Sequence, residues 1–136
     1  MEPIEEDGLK VYFDDENKLV RVVYPEQLTP NITVRVYQWM IDQVVEVGVQ
    51  NVRGGVFDFR AVQKIHEDNT RVAKSQSKNM NQQIDLSRVA VALLVKSLYQ
   101  EQMVKVSMRL TQNSDRIRVV FNEAEAAEFI QEFHGA

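Results

Sequence analysis

The polar residues best placed for chemistry are Asp58 and Arg60, at the end of the run Val56-Phe57-Asp58-Phe59, and Lys96, just beyond the apolar run Val89 to Val95. These groups lie at the carboxyl ends of two expected strands, where open α/β sheets bind ligands, which makes this the best place for a site, including one for an enzyme using Asp58 with Arg60 or Lys96. The same residues have a purely structural use, since an Asp at a strand exit accepts hydrogen bonds from the backbone amides of its own loop. His66 and His134 stand far apart, and neither has a partner at a spacing such as His-x-x-x-His, so both are expected at the surface and no metal site is expected. The chain contains no cysteine, which removes thiol nucleophiles, thiolate metal sites and disulfides. It has no Gly-x-Ser-x-Gly elbow, and Gly54-Gly55 precedes its apolar run where a phosphate-binding loop would follow one. The sequence therefore offers no catalytic residue and no cofactor-binding residue.

The elements that would position these side chains follow from apolar periodicity. Leu9 to Phe13 and Leu19 to Tyr24 read as two strands joined through Asp14-Asp15-Glu16-Asn17, an antiparallel hairpin. Thr29-Pro30 opens a helix whose apolar residues Ile32, Val36, Met40, Val44 and Val47 run up to a terminal Gly48. Val56 to Phe59 reads as a central strand covered on both faces, and Glu67 to Gln83 as a mostly exposed helix. Arg88 to Val95 is the strongest buried strand. Behind it, Ser97 and Gln100 have capping-box spacing for a helix with the expected core stripe Tyr99, Met103, Val106 and Leu110. After the polar segment Gln112 to Asp115, Ile117 to Phe121 is a last strand. Asn122 and Glu125 then cap a helix docked by Ala126, Phe129, Ile130 and Phe133. The fold class is α/β: a mixed sheet of about five strands with about four helices, an antiparallel start and right-handed parallel crossovers. Residues 1–8 are expected to fray, and residues 9–136 to form one domain.

This order of elements resembles the anti-sigma-factor-antagonist (STAS) family. The local likeness lies in Val56-Phe57-Asp58-Phe59-Arg60-Ala61-Val62, followed by Gln63-Lys64-Ile65-His66-Glu67-Asp68-Asn69. It is most similar to the divergent SpoIIAA-like branch, some of whose relatives resemble lipid-carrying domains. In the family the segment after this strand carries an Asp-Ser-Ser-Gly type sequence whose serine is phosphorylated by a partner kinase to break a protein complex. The matching positions here, about His66 to Asn69, hold no hydroxyl, which leaves Thr70, Ser75 and Ser77 on the following helix as the nearby hydroxyls. The resemblance implies a protein-binding surface made of Asp58, Arg60, Glu67, Asp68, Asn69 and Lys78. A second pattern, Asp14-Asp15, Asp58 and Lys96-Ser97, is similar to the acidic pair, acceptor and lysine loop of phosphoacceptor receiver domains. Receivers need a helix between their first two strands, however, and only four residues intervene here.

Whole-chain composition narrows the partners. With 16 basic and 20 acidic residues the formal charge is −4, which gives no counterion-release drive towards nucleic acid. Lys105, Arg109, Arg116 and Arg118 could form a local basic patch, although interspersed acids make a solvated face the simpler expectation. No apolar run approaches the roughly 20 residues of a membrane span, and the acidic N-terminus lacks the basic character of a signal peptide, so a cytoplasmic protein is expected. The leading expectation is a non-enzymatic, regulatory protein-interaction module, with a homodimer as the commonest assembly. The alternative is a carrier for a small apolar ligand or lipid, held in a cleft between sheet and helices lined by Met103, Val104, Met108 and Leu110.

Overall fold

The computed structural model describes residues 1–108 and 115–135. Along the chain come β1 (Ile4–Glu6), β2 (Leu9–Asp14), β3 (Leu19–Val23), β4 (Gln27–Leu28) and α1 (Pro30–Val47). A short 3-10 turn (Val49–Asn51) leads to β5 (Gly54–Asp58), β6 (Lys64–Ile65) and α2 (Asn69–Gln83), followed by β7 (Ala90–Leu94), α3 (Leu98–Met108), β8 (Ile117–Val120) and α4 (Glu123–Phe133). Six strands form one mixed sheet in the order β1-β2-β3-β5-β7-β8, and β4 pairs with β6 in a separate two-stranded ribbon. The sheet is antiparallel through β3 and parallel from β3 to β8.

The sixth strand is β1. Residues 1–8, expected to fray, instead hold β1 in register with β2, Ile4 opposite Val11, while the Trp39 indole N–H donates to the Glu2 carbonyl at 2.7 Å. One buried tryptophan thus ties the N-terminus to α1.

From β3 onward each strand is added on the same side of the last, and right-handed crossovers then place α1, α2 and α3 on one face. That face carries Val20, Val22, Phe57, Phe59 and Leu93 against Val36, Met40 and Val44 of α1, Met80 of α2 and Val104 of α3. On the opposite face α4 lays Ala126, Phe129 and Ile130 on Val56, Ala90, Ala92, Leu94 and Val120. The alternation in β7 matches this: its alanines face α4 and let that helix approach closely, while Leu93 fills the thicker layer under the other helices. Gly54 lies in the same layer: a Cβ there would sit 3.4 Å from Ile130 Cδ1 of α4 and 2.6 Å from the Ala90 carbonyl oxygen of the neighbouring strand.

The helix ends are set by the residues that the spacing singled out. Thr29 Oγ1 accepts from Ile32 N, Ser97 Oγ from Gln100 N and Asn122 Oδ1 from Glu125 N, at 3.4, 3.1 and 2.8 Å. Gly48 closes α1 at φ 87°, a left-handed conformation that glycine adopts without a Cβ penalty.

Candidate functional site

At the exit of β5 the Asp58 carboxylate is occupied by its own loop. It accepts from the Arg60 backbone N–H at 2.9 Å and from Arg60 Nε and Nη2 at 3.1 and 2.9 Å. Glu123, at the start of α4, receives both bonds of a fork from Arg21 Nη2 at 2.7 Å and lies 3.6 Å from Arg60. Burial works against the Arg21 charge, but Glu123 outweighs it and the pKa is raised; Arg60 is raised chiefly by its hydrogen bonds to Asp58. The sheet order does not reverse between β3 and β8, so Asp58 flanks no topological switch point, the place where such sheets open a ligand crevice. Lys96 is exposed at the neighbouring strand end, and its backbone N–H goes to Gln100 Oε1 at 2.8 Å.

The segment after Asp58 is held in a fixed path. Gln100, buried in the first turn of α3, donates through Nε2 to the carbonyls of Arg60 and Val62, both at 3.0 Å. Pairing of β6 with β4 holds the next residues, Gln27 opposite Lys64. His66 follows, its backbone N–H on the Leu28 carbonyl and its ring Nε2 3.2 Å from Gln27 Oε1. The loop therefore presents Ala61, Gln63, Lys64, Glu67 and Asp68 to solvent on a stiff frame.

Of the six residues expected to bind a partner, Asp58 and Arg60 sit together and shape this loop, and Glu67 and Asp68 are exposed where α2 begins. Asn69 is turned inward. It is fully buried, and its Oδ1 accepts from Thr33 Oγ1, so it ties α2 to α1 and presents nothing to a partner. Lys78 is exposed on the outer face of α2, more than two turns beyond the loop.

On α3 the structure corrects the expected stripe. The residues facing the core are Gln100, Val104 and Ser107. Leu98, Tyr99 and Val106 are instead 71, 73 and 72% exposed. Two residues of the expected stripe, Tyr99 and Val106, are thus on the solvent side; Met103 is half-buried, and Leu110 lies outside the described residues. The capping box explains the displacement. Once Ser97 caps and Gln100 must reach back to the loop, the inward face contains position 100, and residues 99 and 106 turn away. Periodicity alone could not separate the two faces, because apolar residues stand on both.

Other expectations resolve as follows. The cleft expected around Met103 and Val104 is packed core at those two residues, and the side chain of Met108 lies outside the described residues with Leu110. A cavity lies elsewhere, between the middle of the sheet and the helices α1 and α2. Both histidines are half-buried; His134 Nε2 donates to the Arg53 carbonyl at 2.8 Å. The basic residues do not gather: Lys105 pairs with Glu101, Arg118 lies over the Phe129 ring and within 4.0 Å of Glu132, and Arg116 lines the cavity, while Arg109 lies outside the described residues. Asp14 pairs across the sheet with Leu19, which pairs with Gly54, so it stands at the opposite end of β5 from Asp58 and the receiver arrangement is not formed. Among the described residues no group of three His, Asp or Glu side chains is placed to hold a metal ion. No helix among them is long and apolar enough to cross a membrane.

No family model matches the sequence, and no curated protein matches it. Among solved structures, the Bacillus cell fate determinant SpoIIAA in its phosphorylated form superposes with a TM-score of 0.53 at 11% identity, covering 88% of this chain and 96% of SpoIIAA. The hairpin start, the parallel β5-β7-β8 strands and the crossover helices thus give the chain the STAS-type fold of SpoIIAA, the arrangement that the residues around Asp58 resemble.

Proposed function

We propose that this chain is a non-enzymatic regulatory module of the cytoplasm that docks a protein partner on the outer face of α3 and the adjoining loop between β5 and α2. The observation that carries this reading is the exposure of Leu98, Tyr99 and Val106 on one helix, beside a loop pinned by Gln100. Large apolar residues standing together in solvent cost free energy unless something covers them. Tyr99 has the amphipathic character of an interface anchor, and a rigid loop alongside limits the ordering entropy lost on binding. Glu67 and Asp68 supply a negative rim where the loop meets α2, while Asp58 and Arg60 hold the loop in shape and act on the partner only through it.

The reading agrees with the fold likeness to a protein described as a cell fate determinant. It departs in one respect: no hydroxyl lies within His66 to Asn69, so any switching by phosphorylation falls to Thr70 or Ser77, both half-buried, or to the exposed Ser75. Reversing the rim charges by Glu67→Lys with Asp68→Lys should weaken the partner complex several-fold and remove or invert its weakening by salt, with the melting temperature unchanged. Calorimetric titration of the purified partner measures this; equal affinity for the reversed variant would remove the rim from the interface. A second copy of the chain is the competing occupant, and sedimentation of the isolated protein as a dimer that Tyr99→Asp dissolves would assign the surface to self-association.

A further inference from the structure

The layer between the sheet and the helices α1 and α2 is not filled. A cavity of about 140 Å³ lies under Met40 and Met80, floored by Gly55 and Phe57 and walled by Val20 and Leu93. Gly55 contributes no side chain, and the Phe57 ring leans over it so closely that a Cβ at position 55 would sit 2.9 Å from Phe57 Cε2. Folded interiors hold few voids larger than a water molecule, and an unfilled one costs stability. An apolar cavity of about 150 Å³ is large enough to take up benzene, so the space here fits about one six-membered ring.

One wall is polar. Tyr37, Ser77, Asn81 and Arg116 line the side where α2 passes the start of β8, and these residues are partly exposed where the apolar lining is mostly buried, so the cavity opens there. Arg116 is partly withdrawn from water. Its Nη1 reaches only the Val89 carbonyl, at 3.4 Å, and no carboxylate among the described residues lies within ion-pair distance. Arg21, Arg35, Arg60 and Arg118 each have one; among the described residues Arg53, Arg71 and Arg88 have none, but Arg71 and Arg88 are exposed to water. Burial pulls the Arg116 pKa down, with Tyr37 working weakly the other way, yet a guanidinium keeps its charge. A cation withdrawn from water without a counter-charge is costly, and an anion beside it relieves that cost. Burial also raises the pKa of Tyr24 and of Tyr37, so both phenols are protonated donors at neutral pH, and both line the cavity.

We propose that this cavity is a binding site for a compact monocarboxylate with an apolar body of about one ring, the body resting over Gly55 and Phe57 and the carboxylate meeting Arg116 and the Tyr37 hydroxyl. The site is independent of the α3 surface, and its occupant contacts α1, α2 and the sheet together.

Benzoate serves as the probe and benzyl alcohol as its neutral counterpart, titrated into the full chain carrying ¹³C-labelled methionine methyls. Benzoate should shift the methyl resonances of Met40 and Met80 saturably, leave those of Met1 and Met103 in place, and bind more tightly than benzyl alcohol. Arg116→Gln should weaken benzoate by at least about tenfold, the worth of a charge-assisted hydrogen bond, and leave benzyl alcohol unchanged. Absence of a saturable shift at Met40 and Met80 would overturn the proposal, as would equal affinity for benzoate in Arg116→Gln. The location test needs only wild-type protein, so the proposal stays testable even if the variant does not fold.

Discussion

Gln100 shows how much one polar side chain can organise. Its amide donates to two loop carbonyls and accepts the Lys96 backbone N–H, and it is buried, so water cannot replace those partners. Gln100→Leu keeps the volume but strands three backbone groups, and should cost about 2–4 kcal/mol by urea unfolding, at roughly 1–3 kcal/mol for an unsatisfied group with some rehydration. A loss under 0.5 kcal/mol would show that the loop holds itself. Asp14 gives a prediction with a pH sign. The Asn17 side-chain amide and then the Asn17 backbone N–H bond its carboxylate in the turn between β2 and β3, and its pKa lies below the usual carboxylate range. A depressed folded pKa means that the stabilisation is present above the unfolded value of about 3.9 and is lost as pH falls through the folded one. Unfolding free energy should therefore drop more steeply from about pH 5 to pH 2.5 in the wild type than in Asp14→Asn; equal slopes would contradict this. The capping residues Thr29, Ser97 and Asn122 were all readable in the sequence because each acts within three or four residues of itself. The Gln100 bridge to residues about 40 positions away was not, since only the fold brings its partners together.

At the scale of elements, α3 separates burial from apolarity. Val104 is enclosed in the core while Tyr99 and Val106 on the same helix are open to solvent. Val104→Ala should cost about 2 kcal/mol in chemical denaturation through lost burial and an uncollapsed cavity. Tyr99→Ser and Val106→Lys should each change stability by less than about 0.5 kcal/mol, the range for surface substitutions, while weakening the partner complex. Comparable destabilisation by all three would restore Tyr99 and Val106 to the core and remove the docking face. The strands were legible because β5 and β7 are buried on both faces and leave continuous apolar runs. The helix α1 was legible through its regular apolar stripe. The face of α3 was not, because apolar residues stand on two sides of that helix, and a periodicity count mixes them. Residues 1–8 misled for another reason: Glu2, Glu5, Glu6 and Asp7 look like a solvated tail, but β1 is an edge strand whose acids point to water while Ile4 packs inward.

Across the whole molecule, the polar strand end and the apolar helix face divide the work. Asp58, Arg60, Glu123 and Arg21 satisfy one another at the exit of β5, while Lys96 stands exposed at the neighbouring strand end. Among the described residues, the three most exposed large apolar side chains, Leu98, Tyr99 and Val106, sit on α3. The fold likeness to SpoIIAA supplies the architecture and no residue roles, so the functional reading rests on that exposed face. Side-by-side affinity capture from native extract, using the wild type and the double variant Leu98→Asp with Tyr99→Asp, tests it most directly. The account predicts a protein recovered in stoichiometric amount by the wild type and lost by the variant, with both forms equally folded by circular dichroism. Recovery of the same protein in the same amount by the variant, or no stoichiometric protein with the wild type, would contradict it.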